Sequence, residues 1–324
     1  MGSRRTWNRS EPAGTDWSPL EPVGPALEPS NDRIRTMKRR LLLLGALMVT
    51  ASCAARGQAP TSPVGPAPGA THENLNAVIW VQTALEYEAT TVQAYRLAQL
   101  QLDAALADPA WTAAIEQTGD ASKLPPAVIL DVDETVLDNS YYQARMIRDN
   151  TAYAAATWDP WVHEARATAI PGAREFTQYA AAKGVTVFYV TNRTANLEAA
   201  TRQNLAAEKF PLSGGVDTVL TRGERPEWRA SAKGPRRAHV ARDFRILLLV
   251  GDDLGDFVVD ASGTPQERAD RTGPYTEWWG RRWIMLPNPT YGSWERALVG
   301  DARDHLAARR RGLKYEPPGT LRQR

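Results

Sequence analysis

Acidic side chains follow directly on an apolar run in the segment 128–140, "VILDVDETVLDNS". The run predicts a buried strand, and Asp131, Asp133 and Glu134 come where it ends. Carboxylates beside a core are costly unless cations or hydrogen-bond donors pair with them. A second acidic group, "GDDLGD" at 251–256, follows the apolar run "RILLLV". Two acidic strand ends in one sheet would repel each other unless a cation lay between them.

Two other segments place polar residues in the same way. "VTNR", which contains Thr191 and Asn192, follows the run "VTVFY", and "SAKG" contributes Lys233. Asp131 or Thr191 alone would fit a helix cap equally well. Carboxylate oxygens suit Mg²⁺, which keeps positions open for phosphate and water. The four histidines show no metal-ligand spacing, which argues against zinc.

These segments must be positioned by a sheet. Nearly continuous apolar strands that alternate with helices indicate an α/β fold with a parallel sheet covered on both faces. Ligands of such sheets bind beyond the carboxyl ends of the strands. The predicted strands are Ala127–Val132, Val185–Val190, Arg245–Val250 and Trp283–Leu286. The predicted helices include Glu73–Leu106, Ala173–Lys183 and Ala195–Glu208.

Composition limits the possible classes. The chain has 324 residues, of which 43% are hydrophobic and 23% charged, and a net charge of +2. It is therefore an ordinary globular chain, long enough for one large domain or two small ones. The arginines are scattered without a basic stripe, so we expect no nucleic acid polymer as a partner.

The segment 37–53, "MKRRLLLLGALMVTASC", has the order of a bacterial secretory signal. Its basic start is followed by an apolar run, too short to span a bilayer comfortably, and by small residues before Cys53. We expect lipidation at Cys53, although Thr50 stands where Leu is commonest; the alternative is a plain secretory signal with an incidental cysteine. The expected location is the cell envelope beyond the inner membrane, with a lipid anchor in the outer membrane or at the cell surface.

The four polar segments resemble the four motifs of the haloacid dehalogenase (HAD) superfamily, in the expected order. The runs "NLNAVIWVQTALEYEATTVQAY", "AIPGAREF" and "WIMLPNPTYGSWE" resemble the class C bacterial acid phosphatases, a group that includes outer-membrane lipoprotein 5′-nucleotidases. The resemblance covers roughly 73–295. It implies a HAD-like Rossmannoid three-layer sandwich, with a small helical cap inserted after the first motif and an N-terminal packing helix.

With this resemblance, the chain divides into segments of different kinds. The predicted divisions are a disordered extension or misassigned start at 1–36, a lipoprotein-type signal peptide at 37–53, a flexible tether at 54–72, a HAD-like phosphatase domain at 73–315 with its cap at about 134–190, and a disordered tail at 316–324.

The resemblance also implies the catalytic roles. Asp131 would be the nucleophile that forms an aspartyl-phosphate. Asp133 would protonate the leaving oxygen and then activate water. Thr191 and Lys233 would contact the phosphoryl oxygens, with Asn192 in support.

The same resemblance implies a Mg²⁺ site. Asp131, Asp252 and the backbone carbonyl of Asp133 would be its ligands, with Asp256 supporting Lys233 or a bound water. Asp253 receives no role. Glu134 is either a capping or surface carboxylate or a functional group.

Aromatic residues in the predicted cap allow two interpretations. Tyr142, Trp158 and Trp161 would either stack on a planar leaving group or pack the interior of the cap. Tyr291 and Trp294 are predicted to pack.

The sequence thus predicts a Mg²⁺-dependent acid phosphatase for small phosphomonoesters, among them nucleoside 5′-monophosphates. The alternatives are a phosphotransferase on the same fold and a non-catalytic surface-binding lipoprotein. A protein that only binds has no use for the acid at Asp133.

Overall fold

The computed structural model describes residues 72–315. The helices of this part are α1 (Leu75–Thr83), α2 (Leu85–Ala107), α3 (Ser140–Asp149), α4 (Ala155–His163), α5 (Ala173–Ala182), α6 (Glu198–Ala207), α7 (Gly234–Asp243), α8 (Pro265–Thr272), α9 (Ser293–Val299) and α10 (His305–Gly312). Its strands are β1 (Pro126–Leu130), β2 (Leu137–Asp138), β3 (Thr168–Ala169), β4 (Thr186–Thr194), β5 (Val219–Arg222), β6 (Arg245–Gly251) and β7 (Trp283–Met285). The predicted signal peptide with Cys53, most of the tether and the predicted tail lie outside the described residues.

The central sheet is parallel and has the order β5-β4-β1-β6-β7. β1 lies in its middle, where Leu130 pairs with Tyr189 of β4 and with Val250 of β6. All carboxyl ends therefore meet at one edge of the sheet. The predicted α/β class with a parallel sheet flanked by helices is confirmed.

The two faces of β1 explain its unbroken apolar run. Val128 and Leu130 belong to a core cluster shared with α2 and α5. Ala127 and Ile129 belong to a second cluster on the opposite face, which includes Val240 of α7. The four residues 127–130 are buried because helices cover both faces of the sheet.

The N-terminal packing helix is divided in two. The sequence predicts one helix over Glu73–Leu106, but Ala84 has an extended backbone (φ −83°, ψ 125°) between α1 and α2. The break allows α1 to contact α3, where Gln82 donates to the Ser140 hydroxyl at 3.2 Å. Neither Gly nor Pro marks this break, so the residue pattern gives no sign of it.

Several strands differ from the sequence prediction: β1 ends at Leu130 instead of Val132, and the two-residue strands β2 and β3 were not predicted. β4 continues to Thr194 instead of ending at Val190, so Thr191 and Asn192 belong to the strand itself. β5 was not predicted, because four residues at the sheet edge are too few for a clear pattern.

The insert between β1 and α5 contains α3, α4 and the antiparallel pair β2–β3. Its predicted limits as a cap stay a prediction. Within residues 72–315, none of the helices has the length and apolar character that crossing a membrane requires.

Candidate active site

The carboxyl ends of β1 and β6 bring the acidic residues together. Asp131 follows β1 directly, and its backbone N–H donates to the Val250 carbonyl at 3.0 Å. At Gly251, the last residue of β6, a Cβ atom would lie 2.2 Å from a carboxylate oxygen of Asp256. Glycine is therefore needed at 251, because it lets the Asp256 carboxylate approach the end of the strand.

Three aspartates and one lysine, Asp131, Asp252, Asp256 and Lys233, form what we call the carboxylate cluster. One oxygen of each aspartate lies within 4.8 Å of the others. Lys233 precedes α7 and is buried; it donates to Asp131 and, at 2.6 Å, to Asp256. The cluster thus contains one ammonium and three carboxylates. When all three are ionised, it carries an excess of negative charge in a largely buried place.

The pKa values of the cluster reflect this excess. Burial raises the pKa of Asp131 to about 7, although the Lys233 ammonium acts in the opposite direction. Burial, followed by the charges of Asp256 and Asp131, raises the pKa of Asp252 well above its usual range. Both shifts express the cost of placing ionised carboxylates near one another in a low-dielectric site.

The donor set of the carboxylate cluster fits a divalent cation. Asp252 is held by Thr135, whose hydroxyl donates to one oxygen at 3.0 Å, and by Asn288, whose amide donates to the other at 2.8 Å. A hard cation with oxygen ligands would offset the surplus charge. Asp131 and Asp252 are two of the predicted ligands, and Asp256 joins them. The predicted contribution of the Asp133 carbonyl stays a prediction.

The Asp133 side chain has partners different from those of the carboxylate cluster. Its Oδ1 accepts hydrogen bonds from Arg193 Nε at 3.0 Å, Arg193 Nη2 at 2.8 Å and Asn139 Nδ2 at 2.9 Å. The Arg193 side chain is 1% exposed and that of Asp133 is 17% exposed. A buried guanidinium therefore holds a carboxylate that still reaches solvent.

Asp133 opens into a cavity of about 420 Å³, which we call the aromatic cavity. Aromatic and cationic side chains dominate its wall. The residues of these two types that line it are Tyr142, Tyr153, Trp158, Tyr291, Arg193, Arg222 and Arg296. A planar leaving group attached to a phosphate matches this combination of rings and positive charge.

The three predicted aromatic contacts occupy different places. Tyr142 and Trp158 line the aromatic cavity, with ring centroids 5.1 Å apart in an edge-on arrangement. Trp161 is buried outside its lining, and its indole N–H donates to Asn139 Oδ1 at 2.8 Å. All three side chains are buried in the core cluster, as the packing interpretation expects, and stacking of Tyr142 or Trp158 on a leaving group stays a prediction.

The residues after Val190 carry β4 to the wall of the aromatic cavity. Thr191 is fully buried, and its hydroxyl accepts from the Arg193 backbone N–H at 3.0 Å. Asn192 lines the aromatic cavity, and its Oδ1 accepts from Arg236 Nη2 at 2.7 Å. Arg236 also donates to the Thr191 carbonyl, so one buried guanidinium fixes this segment.

Asp253 and Trp294 have structural contacts. Asp253 caps the short turn Leu254–Asp256 and accepts from the Ser293 backbone N–H at 2.6 Å and hydroxyl at 2.8 Å. Trp294 is 42% exposed and donates to the Tyr291 carbonyl at 3.2 Å. Asp253 therefore attaches α9 to the end of β6.

Sequence reasoning gave no role to Arg193, Asn139 or Asn288. Each lies inside a segment already singled out, "VTNR", "VILDVDETVLDNS" or "WIMLPNPTYGSWE". Their positions beside the acidic residues were therefore available as a signal. Which carboxylate each one binds depends on side-chain directions that the spacing does not give.

Comparisons with known proteins agree with this geometry. The family model described as HAD superfamily, subfamily IIIB (acid phosphatase), matches residues 53–294. The class C acid phosphatase structure from Bacillus anthracis is 34% identical, with a TM-score of 0.64 over 75% of this chain and 98% of that chain. A structure of the class C acid phosphatase from the same organism with tungstate bound is 32% identical, with the same TM-score and coverage.

Proposed function

The chain belongs to the acid phosphatases of HAD superfamily subfamily IIIB, and we propose that it uses Mg²⁺ and an aspartyl-phosphate on Asp131. As a member of this family it is a phosphoric monoester hydrolase. One observation carries the proposal: Asp131 lies in the carboxylate cluster, and two residues later Asp133 faces the aromatic cavity. This arrangement supports a nucleophile and an acid that act on two sides of one reacting phosphate.

The first step belongs to Asp131. Its carboxylate oxygen forms a bond to phosphorus while the bond from phosphorus to the leaving oxygen breaks. Asp133 gives its proton to that leaving oxygen, and the alcohol departs through the aromatic cavity. Arg193 and Asn139 support this role because they hold the Asp133 carboxyl in a single direction.

The second step releases phosphate. Asp133, now a carboxylate, takes a proton from water, and the water oxygen forms a bond to phosphorus. The bond between phosphorus and Asp131 breaks, which returns the carboxylate and liberates inorganic phosphate. Asp133 keeps the proton for the next leaving group, so protons balance over the cycle.

We propose that Lys233, Thr191 and Asn192 bind the phosphoryl oxygens. The Lys233 ammonium already contacts Asp131, where phosphorus must arrive. Thr191 and Asn192 lie in the last part of β4 and are fixed by Arg236. The tungstate in the Bacillus anthracis relative supports an oxyanion site, since tungstate is a tetrahedral oxyanion like phosphate.

Enzymes of this superfamily use a divalent metal, and we propose Mg²⁺ here, held by Asp131 and Asp252 with Asp256 nearby. When bound, it would neutralise the charge of the phosphate and of the cluster and so favour attack by a carboxylate. The raised pKa values of Asp131 and Asp252 support this assignment, because a cation restores the ionised form that attack requires.

Nucleoside 5′-monophosphates are the proposed substrates among small phosphomonoesters. Tyr142, Trp158 and Tyr291 offer ring faces or edges along the aromatic cavity, and bases stack on such rings with little selectivity. The cations Arg222 and Arg296 provide additional attraction for an anionic ligand.

The reaction is proposed to take place in the cell envelope, after export and lipidation at Cys53. The signal-like order of residues 37–53 supports this, and the family match begins at residue 53. Replacing Cys53 by Ser should release the protein from the membrane fraction and abolish labelling by a fatty-acid analogue. Membrane retention of the unlabelled variant would contradict the anchor.

A substrate panel with controlled metal tests the catalytic proposal. Purified protein is dialysed against EDTA and assayed with AMP, glucose 6-phosphate and 4-nitrophenyl phosphate, with and without added Mg²⁺. We expect activity only with the metal, and the highest kcat/KM with AMP. Hydrolysis that persists in EDTA would refute metal dependence, and preference for glucose 6-phosphate would refute the nucleotide assignment.

Two Asp→Asn variants test whether the Mg²⁺ requirement depends on the carboxylate cluster. Asp252→Asn removes a proposed ligand and should raise the Mg²⁺ concentration needed for half-maximal activity. Asp138→Asn keeps the oxygen that accepts from the Ser140 N–H at 2.7 Å and should leave this concentration unchanged.

Added methanol with product analysis distinguishes hydrolysis from transfer, since a phosphotransferase would yield methyl phosphate.

A further inference from the structure

Glu134 adopts a backbone conformation that is unfavourable for its residue type. Its φ is 55°, in the left-handed region where glycine is preferred, and it lies directly after Asp133. The side chain is also buried, with 5% of the residue exposed. Residues held in this conformation beside an active site indicate that the surrounding contacts compensate for the strain.

The side chain of Glu134 makes those contacts. One carboxylate oxygen accepts from the Asn139 backbone N–H at 3.1 Å, and the other accepts from Asn139 Nδ2 at 3.4 Å. The Tyr291 hydroxyl also donates to Glu134, across 157 positions of the chain. A glycine at 134 would remove the strain but would leave the Asn139 backbone N–H and the Tyr291 hydroxyl without this acceptor.

The two partners of Glu134 act on different parts of the site. Asn139 Nδ2 also donates to Asp133 Oδ1 at 2.9 Å, so it belongs to the group that orients the proposed acid. Tyr291 lines the aromatic cavity, where the leaving group of the substrate would lie. Glu134 is thus bonded to both the residue beside the acid and the wall beside the leaving group.

We propose that Glu134 is a positioning residue that fixes the Asp133 carboxyl relative to the leaving group, through Asn139 on one side and Tyr291 on the other. This inference rests on the proposed role of Asp133 as the acid. It explains why the chain keeps a glutamate at a backbone position suited to glycine. Loss of the Glu134 side chain should weaken proton donation more than binding.

Two substrates of nearly equal shape isolate proton donation. Phenyl phosphate has a poor leaving group that needs a proton, whereas 4-nitrophenyl phosphate has a good one that needs it much less. For Glu134→Gly we expect kcat on phenyl phosphate to fall by about 100-fold and on 4-nitrophenyl phosphate by about 10-fold or less. KM for the two substrates should change by similar factors.

A control variant of the same kind is available at Lys209. Its φ is 63° and it is exposed just after the end of α6, outside the residues that line the aromatic cavity. Lys209→Gly makes the same backbone change without touching the site, and should leave kcat on both substrates unchanged. The comparison separates the Glu134 side chain from the conformational effect of introducing glycine.

Glu134→Gln and Tyr291→Phe keep the test decisive if Glu134→Gly does not fold. A carboxamide has one acceptor oxygen and cannot serve three donors. We therefore expect Glu134→Gln to lower kcat more on phenyl phosphate than on 4-nitrophenyl phosphate, with smaller losses than Glu134→Gly. Tyr291→Phe removes only the hydroxyl, and its effect should largely vanish in the Glu134→Gln background.

The outcomes separate this inference from the proposed function. Unequal losses on the two substrates in the Glu134 variants, absent in Lys209→Gly, support it. Equal losses or no loss, in a protein whose wild type hydrolyses both substrates, would overturn the positioning role and leave the phosphatase proposal intact. A wild type without metal-dependent hydrolysis would instead refute the proposed function and this inference with it.

Discussion

The carboxylate cluster and the aromatic cavity adjoin the same short segment but are built in different ways. The cluster is formed by residues that follow the paired strands β1 and β6 and by the lysine that precedes α7. The cavity is formed by side chains from α3, α4, β4, β5 and the residues around 291, most of which belong to elements outside the sheet. We therefore expect the proposed chemistry to depend on the ends of paired strands, and the proposed selection of the leaving group to depend on side chains from separate elements.

The largest expected effect comes from the cluster. Asp131→Asn removes the nucleophile, and kcat on 4-nitrophenyl phosphate with Mg²⁺ should fall by at least ~10⁴-fold. Rapid-quench analysis should detect no phosphoenzyme. Turnover near the wild-type rate would show that the cluster only binds, and the contrast with the cavity would break down.

Asp133→Asn tests the boundary between the two regions. We expect kcat to fall by roughly 10²–10⁴-fold, as for the loss of a general acid and base. Phenyl phosphate should suffer more than 4-nitrophenyl phosphate, which is measured by steady-state kinetics at a fixed pH. The same loss for both substrates would count against proton donation toward the cavity.

Arg193→Met should have a smaller effect, exerted through Asp133. Loss of the charge-assisted bonds costs about 1.5–3 kcal/mol, which corresponds to roughly 10- to 100-fold in kcat. The double variant with Asp133→Asn should be no slower than Asp133→Asn alone.

Arg202→Met is the control for that experiment, since Arg202 pairs with Glu198 and Asp217 away from the site. It should retain full activity. Additive losses in the double variant would show that Arg193 acts on the substrate independently of Asp133.

The smallest effect is expected from the cavity wall. Trp158→Ala should raise KM for AMP by roughly 5- to 100-fold, in line with about 1–3 kcal/mol per stacked base. KM for glucose 6-phosphate should change little, and Trp158→Phe should recover most of the affinity for AMP. Equal rises for both substrates would show that Trp158 packs the protein interior without contacting the base.

Sequence patterns predicted the fold class and the position of the acidic residues. The unbroken apolar runs before Asp131 and Asp252 identify strands covered on both faces, and parallel strands bring their carboxyl ends to one edge. The patterns missed the four-residue β5 and the break at Ala84. Short edge strands and breaks without Gly or Pro depend on packing partners elsewhere in the chain.

The candidate site shows the same division. Asp131, Asp252, Asp256 and Lys233 were grouped from the sequence, and the structure places these four residues together. The bond from Tyr291 to Glu134 was not predictable, because the two residues are 157 positions apart and neither has a local pattern that indicates the other.

The sequence by itself determined which acidic residues follow buried strands. Continuous apolar runs identify the strands, and the polar residues after them mark where the runs end. Tertiary structure decided most partners of the carboxylates, although the resemblance already offered Lys233 as one of two partners for Asp256. Lys233 faces Asp131 and Asp256, while Arg193 faces Asp133. The physical reason is that side-chain direction, and with it every such pair, is set only when separate elements pack around a common core.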